Sequence, residues 1–266
     1  MNPRPKSRAI AAHNRHKAAK AAPDYIYGIH PVEELVARGA PQILRIWVAK
    51  GVTNPRIQAL IDLARREKLD LRFEERSRMD RMSRGEPHQG VIALSPGKEI
   101  LTLEGLLSLS AGTGEDPFFL ILDQVEDPGN LGAVARTAAA AGVHGLILPR
   151  RGAAPLSGTA FKRSAGALSR MPVAHVSNLV QAIKVLKNKG IWVIGAAAQA
   201  STRYTEADLR GPIVLVVGGE SGVRRLVAES CDLMVSIPMK QASESLNLSV
   251  AAALLIYEVV RKREKK

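Results

Sequence analysis

The second half of this chain is constrained above all by six short apolar runs that alternate with stretches of helical pattern. Each run has the length of a strand, and its near-continuous apolar character is typical of strands buried on both faces. Since parallel strands need a crossover between them, the alternation predicts an α/β fold with a mostly parallel sheet covered by helices. The predicted strands are residues 118–123, 145–149, 173–177, 191–197, 213–218 and 233–238.

The part of the chain before this region predicts a separate small α/β domain over residues 23–95. Residues 96–116 are rich in Gly, Ser and Thr with one short helical stretch, so we expect a linker there. We expect a disordered basic tail over residues 1–22 and the main domain over residues 117–262. Within the small domain the pattern predicts strands over 44–50, 71–73 and 91–94, an amphipathic helix over 55–68 and a basic helix over 75–84.

The net charge of +13 is concentrated at the two ends of the chain. Residues 1–22 carry six basic residues and no acid, and residues 261–266 carry five basic residues and one acid. Flexible basic arms bind a polyanion by counterion release. Solubility alone is the other explanation, but acidic tails serve solubility better. The charge pattern therefore favours RNA or DNA as a partner.

Several classes of protein do not fit the composition. No apolar stretch approaches the roughly 20 residues that span a bilayer, so we expect no membrane anchor. Cys231 is the single cysteine, which excludes intrachain disulfides and favours a reducing, cytoplasmic location. The six histidines are scattered, so no metal site is expected.

The first strand of the main domain leads into the stretch DQVEDPGNLGAVART, residues 123–137. An α/β enzyme that binds a dinucleotide usually has a glycine-rich phosphate loop here, whereas this chain has an acidic loop. Asn130 is placed to cap a helix over residues 131–141. Arg136 lies among alanines and a valine in that helix, which predicts a buried guanidinium that meets either an anion or a structural ion-pair partner.

A second strand ends in VVGGESGVRRL, residues 216–226. Gly218 and Gly219 allow the backbone to approach a ligand closely, and Glu220 follows them. The alternative is a tight turn into a helix over residues 222–229 with an acidic first turn.

A third strand leads into SIPMKQASESLNLSVAAALLIYEVV, residues 236–260. Ser245 could cap a helix there, with Asn247 and Ser249 in its first turns. Two such residues in addition to a cap exceed what capping needs, which indicates a function. The predicted apolar face of this helix is Leu246, Val250, Ala253, Leu254 and Tyr257.

Taken in order, the three stretches resemble those of the SPOUT-class RNA methyltransferases, in the TrmH-type branch that methylates ribose 2′-hydroxyls. The resemblance rests on NLGAVAR (130–136), on the G-x-E element at Gly218 to Glu220, and on IPM…SLNLSV (237–250). The front stretches YGIHPVEELV and HQGVIAL are similar to the ribosomal-protein-like RNA-binding domain that precedes catalysis in the ribosomal branch.

The resemblance implies a fold that general rules would not propose, a C-terminal α/β domain tied in a trefoil knot. It implies a homodimer in which both subunits shape the site. It also implies that S-adenosylmethionine is held by backbone groups of the second and third stretches. The residues that match the cofactor contacts of the family are Gly218, Ile237 and Leu246, with Met239 as a neighbour.

By the same resemblance, the first stretch faces the RNA. Arg136 would hold a phosphate and stabilise the developing alkoxide, and the alternative role of base demands an unusual guanidinium pKa. The residues that would order the site are Asn130, Glu220, Ser245 and Asn247.

Two departures from the family pattern concern the cofactor loops. Only Ser221 separates Glu220 from Gly222, where the family usually has two residues, and Gln241 stands where glycine is common. From the resemblance as a whole, the leading hypothesis is 2′-O-methylation of a guanosine in large-subunit ribosomal RNA. The alternatives are a non-catalytic RNA-binding or ribosome-assembly protein that binds the cofactor poorly, and methylation of transfer RNA or of an adenosine.

Overall fold

The computed structural model describes residues 17–20, 24–37, 43–83, 85–240 and 245–264. In chain order the strands are β1 (Lys17–Lys20), β2 (Asp24–Tyr27), β3 (Arg45–Ala49), β4 (Leu71–Glu74), β5 (Val91–Ser95), β6 (Glu99–Leu101), β7 (Phe118–Asp123), β8 (Gly145–Pro149), β9 (Val173–Val176), β10 (Trp192–Ala196), β11 (Thr202–Arg203), β12 (Ile213–Gly218) and β13 (Leu233–Ser236). The helices are α1 (Ile29–Val36), α2 (Pro55–Arg66), α3 (Arg76–Met82), α4 (Leu103–Ala111), α5 (Pro128–Ala140), α6 (Gly158–Arg163), α7 (Ala167–Arg170), α8 (Leu179–Asn188), α9 (Arg225–Ala228) and α10 (Leu248–Glu264).

The N-terminal domain is a four-stranded sheet in the order β2-β5-β3-β4 with helices on both faces. Alternate residues of β3 point to opposite faces, as the pleat requires. Ile46 and Val48 pack with α1 and α2, whereas Trp47 packs with Met79 of α3. Helix α2 buries the four residues that its 3.6-residue periodicity predicts, Ile57, Leu60, Ile61 and Ala64.

The C-terminal domain is built on a nine-stranded sheet in the order β1-β6-β9-β8-β7-β12-β10-β13-β11. All six predicted strands are present, and every pairing in this sheet except β1 with β6 is parallel. The central strand β7 is buried along its whole length. Its residues alternate between a core with α5 and α10 and a core with α4 and α8, which confirms the prediction of helices on both faces.

Two segments expected to be outside the sheet contribute strands to it. The predicted linker 96–116 contains β6, which pairs with β9, and helix α4, whose Leu106 is fully buried. Within the predicted disordered tail, Lys17–Lys20 forms β1 antiparallel to β6, so that part of the prediction is wrong. The remaining residues of 1–22 lie outside the described residues.

The N-terminal domain packs on helices α6 and α7 of the C-terminal domain. The Tyr27 hydroxyl lies 2.8 Å from Thr159 Oγ1, and Arg170 forms an ion pair with Glu34 at 3.0 Å. Gly158 lies so close to the β2 backbone that a Cβ there would overlap the carbonyl of Tyr25. The two domains are therefore in direct contact through α6, and α6 packs in turn on α5.

None of the helices within the described part of the chain is long and apolar enough to cross a membrane.

Candidate active site

Four strands in the middle of the large sheet run parallel and end at the same edge. Their order is β7-β12-β10-β13, and Gly218 at the end of β12 is in register with Asp123 at the end of β7. Ligands of open α/β sheets bind where the carboxyl ends of such strands meet. This edge therefore brings the loops of all three sequence stretches together.

The first stretch begins helix α5 earlier than the sequence predicts. Asp127 is the N-cap, and its Oδ2 accepts a hydrogen bond from the backbone N–H of Asn130 at 2.7 Å. The predicted cap role of Asn130 is therefore wrong, because Asn130 already lies in the first turn. Its half-exposed side chain accepts a hydrogen bond at Oδ1 from Asn247 Nδ2, 3.3 Å away.

Arg136 is exposed in this chain, so its predicted burial is wrong. The small residues of α5 serve close packing instead, since a Cβ on Gly132 would overlap the carbonyl of Ala160 in α6. Arg136 lies six residues beyond Asn130, about 9 Å along the helix. It lines a groove of about 580 Å³ together with Arg170 and Met171. Among the described residues, its guanidinium has no hydrogen-bond or ion-pair partner.

The second stretch forms a compact turn rather than the start of a long helix, since α9 covers only Arg225–Ala228. The backbone N–H of Gly222 donates to the carbonyl of Gly219 at 2.9 Å, and Gly222 has a φ of 78°. A Cβ on Gly218 would overlap the Gly222 backbone, and one on Gly219 would overlap the Gln124 carbonyl. The side chain of Glu220 is exposed at the tip of the turn.

The third stretch differs from its prediction in two ways. Asn247, not Ser245, caps the N-terminus of α10, because Asn247 Oδ1 accepts a hydrogen bond from the Ser249 backbone N–H at 2.8 Å. Ser245 is exposed before the helix. The predicted apolar face is also wrong, since Val250, Leu254 and Tyr257 are 47%, 38% and 51% exposed. The buried residues of α10 are Ala252, Leu255, Ile256, Glu258 and Val259.

The residues at this edge fit S-adenosylmethionine, a ligand with apolar parts and hydrogen-bonding edges. Ile237 and Met239, which follow β13, and Leu246, which precedes Asn247, are partly exposed apolar residues. Gly218 and Gly219 allow the loop after β12 to pack directly on the backbone of Gly222 and Gln124, which sets the shape of that loop. Gln241 lies outside the described residues.

One neighbouring loop was missed by the sequence analysis. Strand β10 lies between β12 and β13, so residues 197–201 after it adjoin both predicted cofactor loops. This loop has the sequence AAQAS, which contains no charged or aromatic side chain that would indicate a functional site. The order of strands in the sheet is the signal that finds it, and that order is not visible in the sequence.

Two titratable side chains of the C-terminal domain, away from the carboxyl ends of these four strands, have shifted pKa values. Burial, with Arg150 nearby, lowers the pKa of His175 in β9. Burial and the Asp232 carboxylate raise the pKa of the Cys231 thiol to about 12, so this cysteine stays protonated near neutral pH. Within the described ranges no group of three or more His, Cys, Asp or Glu residues is placed to hold a metal ion.

Comparison with known proteins yields two family models that together cover most of the chain. The model described as the SpoU rRNA Methylase family matches residues 117–257. The model described as RNA 2′-O ribose methyltransferase substrate binding matches residues 25–100.

Individual relatives match along nearly their whole length. The TrmH-family protein YacO of Bacillus subtilis is 40% identical over 241 residues, which cover 90% of this chain and 96% of YacO. The protein named 23S rRNA (guanosine-2′-O-)-methyltransferase RlmB of Escherichia coli is 38% identical, with 90% of this chain and 99% of RlmB covered. The crystal structure of the SpoU methyltransferase AviRb from Streptomyces viridochromogenes with AdoMet shares the fold, with a TM-score of 0.76 at 22% identity, over 100% of this chain and 95% of AviRb.

Proposed function

This chain belongs to the SpoU rRNA methylase family, and we propose that it methylates the ribose 2′-hydroxyl of a guanosine in large-subunit ribosomal RNA. The enzyme class is that of an S-adenosylmethionine-dependent RNA 2′-O-methyltransferase. The choice of RNA rests on relatives that match over nearly their full length and are named for 23S rRNA. The observation that carries the proposal is the meeting of three distant segments at one edge of the parallel sheet.

The cofactor loops would be those after β12 and β13, with Gly218, Ile237, Met239 and Leu246 as contacts. When bound, S-adenosylmethionine supplies an electrophilic methyl group. Gly218 and Gly219 let the loop after β12 fold tightly against Gly222 and Gln124, and the three apolar side chains could exclude water from the ligand.

The RNA side of the site would be organised by the residues that meet there. The hydrogen bond between Asn247 and Asn130 ties the start of α10 to the start of α5, and Glu220 and Ser245 lie in the adjoining loops. Arg136 would hold the phosphate next to the reactive ribose and stabilise negative charge on the 2′-oxygen. A guanidinium stays charged at neutral pH, so electrostatic assistance explains its role better than proton removal.

A homodimer would complete this site. Arg136 is exposed and about 9 Å along α5 from Asn130, so a second subunit could cover it. Helix α10 presents Val250, Leu254 and Tyr257 at spacings of four and three residues, which forms one exposed apolar stripe. Such a stripe on a surface helix is typical of a protein–protein interface.

The remaining parts of the proposal concern docking, location and topology. The N-terminal domain and the basic ends of the chain would bind structured RNA outside the reactive site. A ribosomal RNA substrate favours the cytoplasm as the location. The trefoil knot implied by the resemblance stays part of the proposal.

Two measurements test the proposed function. Mapping of ribose methylation on ribosomal RNA from cells with and without the gene should reveal one 2′-O-methylguanosine of the large subunit that depends on the gene. Titration of the purified chain with S-adenosylmethionine by calorimetry should give saturable binding. Absence of binding near millimolar concentration would favour the non-catalytic alternative, and loss of a methyl group from transfer RNA would overturn the choice of substrate.

A further inference from the structure

A buried carboxylate at the candidate active site takes no part in the chemistry described above. Asp123 ends β7 and is fully buried. Its Oδ2 accepts a hydrogen bond from the backbone N–H of Arg224 at 2.9 Å. Its Oδ1 accepts from Arg224 Nε at 2.8 Å and lies 2.7 Å from the terminal guanidinium nitrogen NH2 of Arg224. Both carboxylate oxygens are therefore occupied by one residue that lies 101 positions later in the chain.

Arg224 is the last residue of the loop that the proposed function assigns to cofactor binding. This loop leaves β12 at Gly218, and the N–H of Gly219 donates to the Asp123 carbonyl at 2.9 Å. Asp123 thus holds the loop at its first residues through its backbone and at its last residue through its side chain. Between the two anchor points, Ser221 Oγ lies 3.4 Å from Gln124 Oε1 in the loop that follows β7.

The two anchors are coupled by electrostatics. A buried carboxylate without a partner is strongly unfavourable, and removal of one partner of a buried pair leaves that charge uncompensated. Arg224 is the guanidinium that pairs with Asp123, and its side chain is 47% exposed. If the loop moved away from β7, Asp123 would lose all its contacts with Arg224 together. The loop therefore has a strong preference for the position in which it contacts β7.

We propose that Asp123 is a positioning residue for the methyl transfer, which acts through Arg224 to hold the loop 218–224 in the conformation that binds S-adenosylmethionine. It does not touch substrate or cofactor, because both of its oxygens face Arg224. The inference rests on the proposed function for the identity of the ligand. The contacts between Asp123 and Arg224 should also restrict the motion of the loop, whichever ligand the loop binds.

The central variant is Arg224→Lys, which keeps the positive charge and the backbone N–H but loses the planar guanidinium that contacts Asp123 twice. Asp123→Asn is the complementary variant, because its amide group would oppose the Arg224 donors. Arg225→Ala is the matched control, since Arg225 is the next residue and its ion pair with Glu229 is exposed. Each protein is titrated with S-adenosylmethionine by calorimetry, and melting temperature and kcat at saturating cofactor are measured alongside.

The expected result for Arg224→Lys is a loss of S-adenosylmethionine affinity of about tenfold or more, with kcat at saturating cofactor changed by less than about threefold. The backbone amides of residues 219–223 should exchange hydrogen faster than in the wild type without any ligand present. Arg225→Ala should match the wild type in affinity and exchange. Asp123→Asn should show the same losses as Arg224→Lys, and the double variant should add little to either.

A purely structural role would lower the melting temperature and leave both cofactor affinity and loop exchange unchanged, and that result in Arg224→Lys would overturn the proposal. If Asp123→Asn does not fold, Arg224→Lys decides the question alone. Failure of the wild-type chain to bind S-adenosylmethionine would defeat the proposed function. The exchange of residues 219–223 would still decide whether Asp123 holds this loop.

Discussion

The side-chain amide of Asn247 donates a hydrogen bond to Asn130 Oδ1 at 3.3 Å, across 117 positions of sequence. The side-chain oxygen of Asn247 has a second role, because it accepts from the backbone N–H of Ser249 at 2.8 Å and from Ser249 Oγ at 2.6 Å. One side chain therefore caps helix α10 with its oxygen and reaches helix α5 with its nitrogen. The two roles use different atoms and can be separated by mutation.

Asn247→Asp should keep the cap and lose the contact between the helices. A carboxylate at this position still accepts from Ser249 and is favoured by the helix dipole, so the melting temperature should stay at or slightly above that of the wild type. It has no donor for Asn130 Oδ1, so the present contact is lost and methyl transfer should fall by about tenfold, equivalent to roughly 1.4 kcal/mol. Unchanged transfer would show that the Asn130 amide turns and donates to the new carboxylate. Activity and melting temperature are measured in the same preparation.

Two companion variants control this comparison. Asn247→Ala removes both roles and should lower stability by about 1 kcal/mol in addition to the loss of activity. Asn130→Ala removes only the acceptor, so combining it with Asn247→Asp should add little to either single effect. Additive losses would show that the two asparagines act independently.

The sheet could be predicted from the sequence because its central strands are buried on both faces and read as continuous apolar runs. Strand β6 and the two-residue strand β11 lie outside any such run. Their place in the sheet depends on neighbours that are distant in sequence. The start of α5 is also encoded locally, because an Asp-Pro pair matches an N-cap followed by proline at N1. Asparagine favours the same position, which led to the wrong prediction of Asn130 as the cap.

The face of α10 could not be predicted from periodicity. Its sequence LSVAAALLIYEVV is apolar almost all around the helix, so a period of 3.6 residues does not select one side. Tertiary packing buries Leu255, Ile256 and Val259 and leaves Leu254 and Tyr257 exposed.

The exposure of Arg136 could not be predicted either. Its small neighbours in the sequence predicted a buried side chain, whereas those neighbours serve the contacts of α5 with other helices. Family motifs indicated which loops meet, but contacts such as that between Asp123 and Arg224 came only from the structure.

Leu254→Glu should convert the proposed homodimer into a monomer. In a symmetric dimer the substitution buries a charge on both subunits against an apolar stripe that includes Val250 and Tyr257, which is strongly unfavourable. Analytical ultracentrifugation should show the monomer mass, and methyl transfer should fall by about a hundredfold or more if both subunits shape the site. Leu109→Glu is the matched control, since Leu109 is 52% exposed on α4 and should leave the dimer intact. A Leu254→Glu protein that sediments as a dimer would refute the assigned interface.

Gly158→Val should separate the N-terminal domain from α6 while both domains stay folded. Any side chain at this position would overlap the Tyr25 carbonyl and the Tyr27 ring. We expect a larger radius of gyration in X-ray scattering, weaker RNA binding and unchanged S-adenosylmethionine affinity. Thr159→Val removes only the hydrogen bond to Tyr27 and should cause a much smaller change. Equal effects of the two variants would contradict the packing explanation.

Cys231 should react slowly with alkylating reagents at the pH values, up to about 9, at which ordinary thiols react readily. Its pKa of about 12 means that the thiolate fraction, and hence the rate, should keep rising about tenfold per pH unit well above pH 9. Alkylation by iodoacetamide is followed by mass spectrometry, with protein denatured in guanidinium chloride as the control. A plateau near pH 9 in the folded protein would show that the thiol is not protected by burial and Asp232.

Arg136→Ala should leave S-adenosylmethionine binding intact and abolish methyl transfer. Arg136 lies about 9 Å along α5 from Asn130 and away from the loop at Gly218, so removal of its charge should not alter the proposed cofactor contacts. Loss of a group that stabilises developing negative charge reduces kcat by about a hundredfold or more. Arg170→Ala is the matched control, because Arg170 lines the same groove but pairs with Glu34, and it should retain most activity. Arg136→Lys should recover part of the rate, since it restores the charge without the planar group that can bind a phosphate at two points. Loss of cofactor binding in a dimeric Arg136→Ala protein would move Arg136 from the RNA side of the site to the cofactor side.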